Sequence, residues 1–426
     1  MSRSPVFYGW TIVAALSVVS FSLHAVAIFS FGLFVLPMTA DLGISRAAIG
    51  LAPTVRSFGA GLSVVVVGRM LDRYGARILI PSAAIVTALA MVGLSAAHAY
   101  WQMMALFALI GLTGLTAGNN LMVTVPITKW FVRRRGRAIS IAVAGLAVGG
   151  VVFPVAHQAL IEGIGWRGAW VVSALILVGI AVPIPLIFVR RTPEDVGLHP
   201  DGAATAREEG STGQAGGPLE HSWTPRAALH TSAFWVLATS FVLLNFTVMG
   251  LLIHRIPFWV ERGFDPATVA GSFSVNGAAF IVASLSVGGL LDRVPVRYVA
   301  IGGIVCQALA VMWLLTSTSV VALYGTGILF GVGLGSGAVV RGVIWATYFG
   351  RGSVGTIRGM FGPAELASNG VGPPAIGLIY DLSGSYVPAF WSAFALILAS
   401  AALMSAAMPP HHRPEQQRSP GPLAMQ

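Results

Sequence analysis

The sequence that decides the fold is a decapeptide that occurs twice, as Gly68-Arg-Met-Leu-Asp-Arg-Tyr-Gly-Ala-Arg77 and as Gly288-Gly-Leu-Leu-Asp-Arg-Val-Pro-Val-Arg297. The first glycine, the Asp-Arg pair and the final arginine match at a constant offset of 220 residues. The same offset aligns Asp41 with Glu261 further upstream. We therefore predict an internal repeat, with two related halves.

The composition is that of a membrane protein. The chain has 426 residues, of which 56% are hydrophobic and 9% charged, and its mean hydropathy is +0.81. Soluble domains carry about 25% charged residues, so most of this surface is expected to face lipid. The net charge of +10 comes from short basic clusters between apolar runs, which argues against a nucleic-acid partner. The single cysteine, Cys306, excludes internal disulfides and a Cys-based metal site, and we expect no cofactor.

Apolar runs recur along the whole chain. A bilayer core of about 30 Å needs about 20 apolar residues per helix, and lipid offers the backbone no hydrogen-bond partner. We predict an all-α membrane protein with twelve transmembrane helices in two pseudo-symmetric six-helix halves. The predicted spans are 10–36, 47–68, 78–97, 101–127, 137–160, 168–189, 232–258, 267–291, 298–317, 320–347, 359–380 and 386–408.

The spans divide the chain into four parts. Residues 1–189 form the predicted N-terminal half and residues 232–408 the C-terminal half. A cytoplasmic linker is predicted at 190–231, because its polar, Gly- and Ser-containing composition is typical of flexible segments. The Pro- and Gln-containing tail at 409–426 is predicted to be disordered and cytoplasmic.

Basic residues lie almost entirely on one side of the predicted membrane. Of the 25 Lys and Arg residues, 19 fall on the side of the N-terminus, 3 on the opposite side and 3 within spans. Cytoplasmic loops carry such an excess, so both termini are predicted to be cytoplasmic. The arginine, alanine and glycine bias indicates a GC-rich genome, and we expect a monomeric, multi-pass protein of a bacterial inner membrane.

The pattern Gly-x-x-x-Asp-Arg-x-Gly-x-Arg resembles the signature of the major facilitator superfamily between its second and third helices. Residues 288–297 resemble the degenerate second copy. We expect the carboxylate of the first copy to bind helix-end amides or an arginine, and the glycines to permit a tight turn and close helix approach. The signature residues in the two loops are Gly68, Asp72, Arg73, Gly75, Arg77, Asp292 and Arg293.

Two other motifs resemble the monocarboxylate porter family. The start Phe7-Tyr-Gly-Trp10 is similar to the Gly-Trp entry of that family, and Trp130-Phe-Val-Arg-Arg-Arg-Gly-Arg-Ala138 resembles its signature before the fifth span. Animal members of the family are known for a lysine in the first span and an Asp/Arg pair in the eighth. This chain has His24 and no lysine in its first span, and Asn276 and no charge in its eighth. The resemblance therefore implies a carrier, but it does not carry over a substrate.

Polar side chains inside spans are the candidate functional groups, because a central charge costs about 2.5–3.5 kcal/mol to insert. Spans 3, 6, 9 and 12 have no charged residue, histidine or asparagine. In the superfamily fold these four helices are outer supports, and the other eight line the cavity. The alternative role of the asparagines is interhelical hydrogen bonding. The in-span polar residues are His24, Arg56, Asn119, Asn120, His157, Asn245, Asn276, Arg341, Glu365 and Asn369.

The arginines are candidates for substrate binding because a guanidinium stays charged and binds a carboxylate through two hydrogen bonds. The alternative is a structural ion pair with Glu365. Glu365 is the one acid well inside a span and is a candidate proton carrier; its alternative role is to neutralise the charge of an arginine. His157 is a second candidate proton carrier. Arg255, near the outer end of span 7, is expected at the membrane interface. The predicted substrate-binding residues are Arg56, Arg341, Asn120, Asn276, Asn369 and His24.

Two functions fit this pattern. The leading prediction is a secondary active transporter that moves a small carboxylate with protons by alternating access. The alternative is a proton-coupled drug or metabolite exporter of the same fold. An enzyme is disfavoured because the sequence offers no nucleophile–base arrangement and no metal-ligand spacing.

Overall fold

The structure is a computed structural model that describes residues 7–26, 30–115, 121–131, 134–199, 223–291, 293–350 and 354–410. Over these ranges the chain is helical and contains no β-strand. The helices are α1 (Tyr8–Ser22), α2 (Phe31–Leu42), α3 (Arg46–Tyr74), α4 (Ala76–Ser95), α5 (Tyr100–Leu112), α6 (Leu121–Trp130), α7 (Arg135–Ala181), α8 (Pro183–Phe188), α9 (Pro225–Leu229), α10 (Ser232–Glu261), α11 (Pro266–Leu290), α12 (Val296–Thr316), α13 (Val320–Phe349), α14 (Val354–Ser383) and α15 (Val387–Ala406).

Eight helical segments of the described chain are long and apolar enough to cross a membrane. One of them, Arg137–Phe188, has 52 residues, which is enough for two passes. Helices α3 and α14 are long but more polar, since each carries charged residues along its length. The helices are therefore consistent with twelve passes.

Helix α7 is two helices joined by a turn. Its 47 residues would extend about 70 Å as one straight helix, roughly twice the bilayer core. The break is at Gly165, whose φ of 74° lies in the left-handed region that glycine tolerates. The carboxylate of Asp41 holds this turn, because it accepts a hydrogen bond from Trp166 Nε1 at 3.0 Å and pairs with Arg167. The turn lies between the predicted fifth and sixth spans.

Two predicted spans are interrupted. The first was predicted as continuous over 10–36, but α1 gives way to a 3-10 turn at Leu23–Val26 and α2 then runs to Leu42. The fourth was predicted as continuous over 101–127, but α5 ends at Leu112 and α6 begins at Leu121. This second break falls in a glycine-containing stretch, where helix propensity is low.

We call α1–α8 the N-half and α10–α15 the C-half. They meet along three helix pairs, α3 with α14, α7 with α11, and α2 with α10. Glycines make these contacts close: a Cβ atom on Gly377 would lie 2.5 Å from the Arg46 carbonyl oxygen, and one on Gly277 would lie 2.8 Å from the Gly150 carbonyl oxygen. The backbones of the two halves are therefore in direct contact.

Polar contacts join the halves where α3 begins. The Asp381 carboxylate accepts hydrogen bonds from the backbone N–H groups of Arg46 and Ala47, both at 2.9 Å. Glu261 accepts from Arg46 Nη2 at 3.2 Å and from the Tyr380 hydroxyl at 3.0 Å. We call Arg46, Glu261, Tyr380 and Asp381 the outer latch, because it lies at the end of α3 opposite the Arg-containing loop at 68–77.

The first signature loop is a tight turn between α3 and α4. Gly75 has a φ of 78°, and its N–H donates to the Leu71 carbonyl at 2.9 Å. Arg77 Nε donates to the Leu186 carbonyl at 3.0 Å, which ties the loop to α8. The turn expected from the sequence is therefore present at Gly75.

The other signature residues make fewer contacts. A Cβ on Gly68 would meet Leu121 at 4.0 Å, which is an ordinary contact. The side chains of Arg73 and Arg293 are exposed. Asp292 and the side chain of Asp72 lie outside the described part of the chain, as do residues 200–222 of the predicted linker and 411–426 of the tail. The four-part division of the chain stays a prediction.

Candidate functional site

The guanidinium of Arg341 is held in place by two neighbours within the C-half. Its Nη1 donates to Asn245 Oδ1 of α10 at 2.6 Å, and its Nε donates to the Gly337 carbonyl one turn earlier on α13 at 3.2 Å. The sequence places Asn245 among the in-span amides but gives no reason to pair it with Arg341. The pairing follows from the packing of α10 against α14 and from side-chain contacts of α10 with α13, such as that of Phe241 with Trp345.

Glu365 on α14 completes this cluster. Its Oε1 lies 3.6 Å from Arg341 Nη1, a distance at which the charges attract without a short hydrogen bond. The Arg341 side chain is 25% exposed and the Glu365 side chain 31% exposed. Among the described residues, Arg341 Nη2 has no hydrogen-bond partner. We call Arg341, Asn245 and Glu365 the inner cluster. In it a guanidinium held through Nε and Nη1 lies beside a carboxylate, and its Nη2 has no hydrogen-bond partner among the described residues.

Arg56 lies on α3, where its backbone carbonyl packs against Gly111 of α5 in the same half. Two of its neighbours contact α14: the Thr54 hydroxyl donates to the Gly370 carbonyl, and Phe58 lies 2.9 Å from the position of a Cβ on Gly370. The Arg56 side chain is half-buried and forms no hydrogen bond or ion pair with the described residues. Arg56 is thus not brought into the inner cluster by any described contact.

The predicted amides are distributed over both halves. Asn276 on α11 is buried, and its Nδ2 atom has no partner within the described chain. Asn369 lies one turn after Glu365 on α14, and its buried Oδ1 also lacks a partner there. Asn120, like Asn119, lies outside the described residues.

The two histidines predicted as functional, His24 and His157, are buried within the N-half. His157 Nδ1 is 2.6 Å from the Ser30 hydroxyl and its Nε2 is 3.1 Å from the Ser173 hydroxyl, so both ring nitrogens have neutral partners. His24 is 2% exposed and packs against Gly149 of α7, where its ring carbons lie 2.8 Å from the position of a Cβ. Neither contact joins a histidine to the inner cluster.

Arg255, for which an interfacial role was expected from its position near the end of a span, is buried inside the protein. It is 3% exposed and packs between helices of the C-half. Its guanidinium carbon lies 4.4 Å from the ring centre of Phe273 on α11 and 4.2 Å from that of Phe330 on α13. Burial depends on these neighbours in space, which the local sequence does not indicate.

The chain matches one protein family over most of its length. The sequence profile of the Major Facilitator Superfamily matches residues 11–362 and 256–424. The solved bacterial homolog of the human lysosomal transporter Spinster, in an inward-facing and occupied conformation, has a TM-score of 0.70 and 17% identity. The alignment covers 95% of this chain and 96% of that one, and at this identity it shows a shared fold.

Curated relatives are distant. Monocarboxylate transporter 12 of Rattus norvegicus is 26% identical over 64% of this chain and 60% of its own length, so the chain spans less than two thirds of that relative. Monocarboxylate transporter 13 of Bos taurus is 25% identical over 84% of this chain and 78% of its own length. The Fujikurins efflux protein of Gibberella fujikuroi is 32% identical over 29% of this chain and 26% of its own length.

Proposed function

Because this multi-pass membrane chain belongs to the Major Facilitator Superfamily, we propose that it is a secondary carrier of a small organic anion, a monocarboxylate, coupled to protons. The observation that carries this proposal is the inner cluster. A guanidinium inside a bundle that spans a membrane is costly unless it is used or neutralised. Arg341 is anchored through Nε and Nη1, and its Nη2 has no hydrogen-bond partner among the described residues.

The neighbouring acid supplies a means of proton coupling. Glu365 is close enough to neutralise Arg341 when no substrate is bound. A substrate carboxylate that binds the guanidinium replaces Glu365 as its counter-charge, and Glu365 then takes up a proton because two carboxylates beside one cation repel each other. The loaded site therefore gains one anion and one proton, and its net charge does not change.

The contacts between the halves support alternating access. The outer latch and the α3–α14 contact close the side opposite the signature loop, while Arg341 and Glu365 keep partly exposed side chains. We propose that substrate enters and leaves the inner cluster from the side of the signature loop in this conformation. By the distribution of basic residues that side is the cytoplasm, and we propose a bacterial inner membrane as the location.

Arg341 gives the direct test of an anion site. Lysine keeps the charge but lacks the planar fork that binds a carboxylate through two hydrogen bonds. In proteoliposomes, Arg341→Lys is expected to raise the apparent KM for lactate or pyruvate about tenfold, and Arg341→Ala to remove nearly all uptake. Arg226→Ala, which removes an exposed arginine from α9, is the matched control and should transport normally.

The same assay separates the carrier from the exporter of drugs or metabolites, which the likeness to a fungal efflux protein favours as the second candidate. A cationic drug would be repelled by Arg341. Full carboxylate uptake in both Arg341→Ala and Arg56→Ala would contradict the anion site, and export of a cationic dye by the wild-type chain would favour the exporter.

Glu365 gives the test of coupling. Carboxylate uptake by the wild-type chain is expected to rise as the external pH falls and to collapse with a protonophore. Glu365→Gln keeps the shape of the side chain but cannot bind a proton, so it should exchange substrate across the membrane without concentrating it. If that variant still concentrates substrate against a pH gradient, Glu365 is not the proton carrier.

A further inference from the structure

Arg255 has no partner for its charge within the described chain. Both of its terminal nitrogens, Nη1 and Nη2, are buried and form no hydrogen bond with any described residue. Aromatic rings attract a cation, and the contacts with Phe273 and Phe330 offset part of the cost of burial. They do not replace the hydrogen bonds that a guanidinium loses when it leaves water.

Arg262 is a second arginine that stacks on an aromatic ring, and its terminal nitrogens have hydrogen-bond partners. The guanidinium carbon of Arg262 lies 4.1 Å from the Phe258 ring centre, a contact like those of Arg255. Its Nη1 and Nη2 atoms, however, donate to carbonyls at the end of α12, on Leu314, Leu315 and Ser317. Arg262 is thus a structural tie, and Arg255 lacks the acceptors that such a role requires.

The N-half covers the helix turn that carries Arg255. A Cβ on Gly32 of α2 would lie 2.5 Å from the Ile253 carbonyl oxygen and 2.9 Å from the Ile256 side chain. These two residues flank Arg255 on α10. Separation of the halves on the side of the outer latch would therefore uncover the Ile253 and Ile256 face of this turn, next to Arg255, while the inner cluster would be closed on its own side.

The position of Arg255 differs from that of Arg341 along the membrane normal. Phe330, which contacts Arg255, and Arg341 are 11 residues apart on α13, or about 16 Å along the helix axis. Arg255 itself lies about 9 Å from the outer end of α10. The two arginines are therefore separate positions, one near each side.

From these observations we propose that Arg255 is a second anion-binding residue on the transport path, which takes the substrate carboxylate when the halves separate on the outer side. The proposal rests on the proposed function, because it assumes that the substrate is a carboxylate. A carboxylate supplies the two acceptors that Nη1 and Nη2 lack. The substrate would then meet Arg255 first from outside and Arg341 first from inside.

The test is sided transport of radiolabelled lactate by the full-length chain in cells and in inside-out vesicles. Arg255→Met removes the charge and keeps an unbranched side chain in the aromatic contact. We expect it to raise the apparent KM for lactate offered from outside about tenfold or more. The KM for lactate offered from the cytoplasmic side should change less than twofold. For Arg341→Lys the opposite is expected: the KM for lactate offered from the cytoplasmic side should rise, and the KM for lactate offered from outside should change little.

Thermal melting separates a binding role from a structural one. Removal of an unpaired buried charge should leave the melting temperature of Arg255→Met equal to or above that of the wild-type chain, and Arg255→Lys should retain part of the outside affinity. Arg262→Met, which removes a satisfied arginine, should lower the melting temperature. A fall with Arg255→Met like that of Arg262→Met would overturn the proposal.

Different results would overturn the role of Arg255 and the proposed function. Equal outside KM values in Arg255→Met and wild type, with lactate transport still lost in Arg341→Ala, would overturn the role of Arg255 and leave the proposed function intact. A wild-type chain that transports neither lactate nor pyruvate would overturn both. If chloride but not lactate bound at Arg255 from the outer side, Arg255 would be assigned to an inorganic anion, and the carboxylate assignment would be overturned.

Discussion

Removal of one carboxylate from the outer latch should shift the balance between the two orientations of the carrier. Asp381 of the C-half accepts two hydrogen bonds from the first backbone N–H groups of α3 in the N-half. These N–H groups have no partner within their own helix, and the helix dipole adds a favourable interaction with the negative charge. The bonds form only when the halves are closed at this end, so they stabilise that state alone.

The size of the effect follows from these contacts. Asp381→Asn keeps one acceptor oxygen, loses the other and removes the charge. One hydrogen bond is worth about 0.5–1.5 kcal/mol, and a charge at a helix terminus about 0.3–1 kcal/mol. Because Asp381 is exposed and partly screened by solvent, we expect a total of about 1 kcal/mol. This corresponds to about a fivefold shift in the ratio of outward-open to inward-open protein.

Distances between spin labels measure this ratio directly. Cysteines that replace exposed Ala96 and Thr318, in a Cys306→Ser background, place one label at the outer end of each half. In Asp381→Asn, the population of molecules with a long distance between the two labels should increase about fivefold relative to the population with a short distance. Asp265→Asn is the matched control, since Asp265 caps α11 through the Thr268 N–H at 3.0 Å within one half. Identical distance distributions for Asp381→Asn and wild type, or equal shifts in both variants, would refute the reasoning.

Three other predictions test the membrane topology and the framework of the N-half. A cysteine placed between residues 201 and 218, in the Cys306→Ser background, should resist membrane-impermeant reagents in intact cells; labelling from outside would overturn the orientation. His157→Leu leaves the Ser30 and Ser173 hydroxyls without their buried partner and should cost about 1–3 kcal/mol, seen as a lower melting temperature with the pH dependence of uptake retained. Loss of that pH dependence would instead make His157 a proton carrier. Gly165→Ala puts a side chain on a backbone with φ of 74° and ψ of 168° and should cost about 1–3 kcal/mol in a thermal melt, whereas Gly179→Ala, in an open helical position, should not.

Much of the fold could be predicted from the sequence because membrane helices leave a strong local signal. The length of the apolar runs predicted the helices. The repeated decapeptide predicted that α3–α4 and α11–α12 are equivalent parts of the two halves. The turn at Gly165 lies between two predicted spans, as expected from the apolar pattern on either side of it. The interruptions at Leu23–Val26 and after Leu112 were missed because hydropathy does not distinguish a broken helix from a continuous one.

The candidate site was less predictable, since it depends on which helices pack together. The sequence suggests an ion pair between an in-span arginine and Glu365 as one alternative, but nothing local indicates that the partner is Arg341, which lies 3.6 Å from Glu365. It places Arg255 near the outer end of a span, but it does not indicate that the rings of Phe273 and Phe330 enclose its guanidinium. The partners of His157 are Ser30, which precedes α2, and Ser173, which lies beyond the turn in α7, and serine occurs in spans too often to signal a contact.

The outer acids of the two halves have diverged. Asp41 and Glu261 occupy equivalent positions in the repeat, 220 residues apart. Asp41 binds Trp166 and Arg167 of its own half, whereas Glu261 binds Arg46 of the other half. One copy of the repeated position thus forms contacts within its own half, and the other forms a contact between the two halves. Mutational results from one half of this carrier therefore do not transfer to the aligned position in the other, even where the residues are chemically alike.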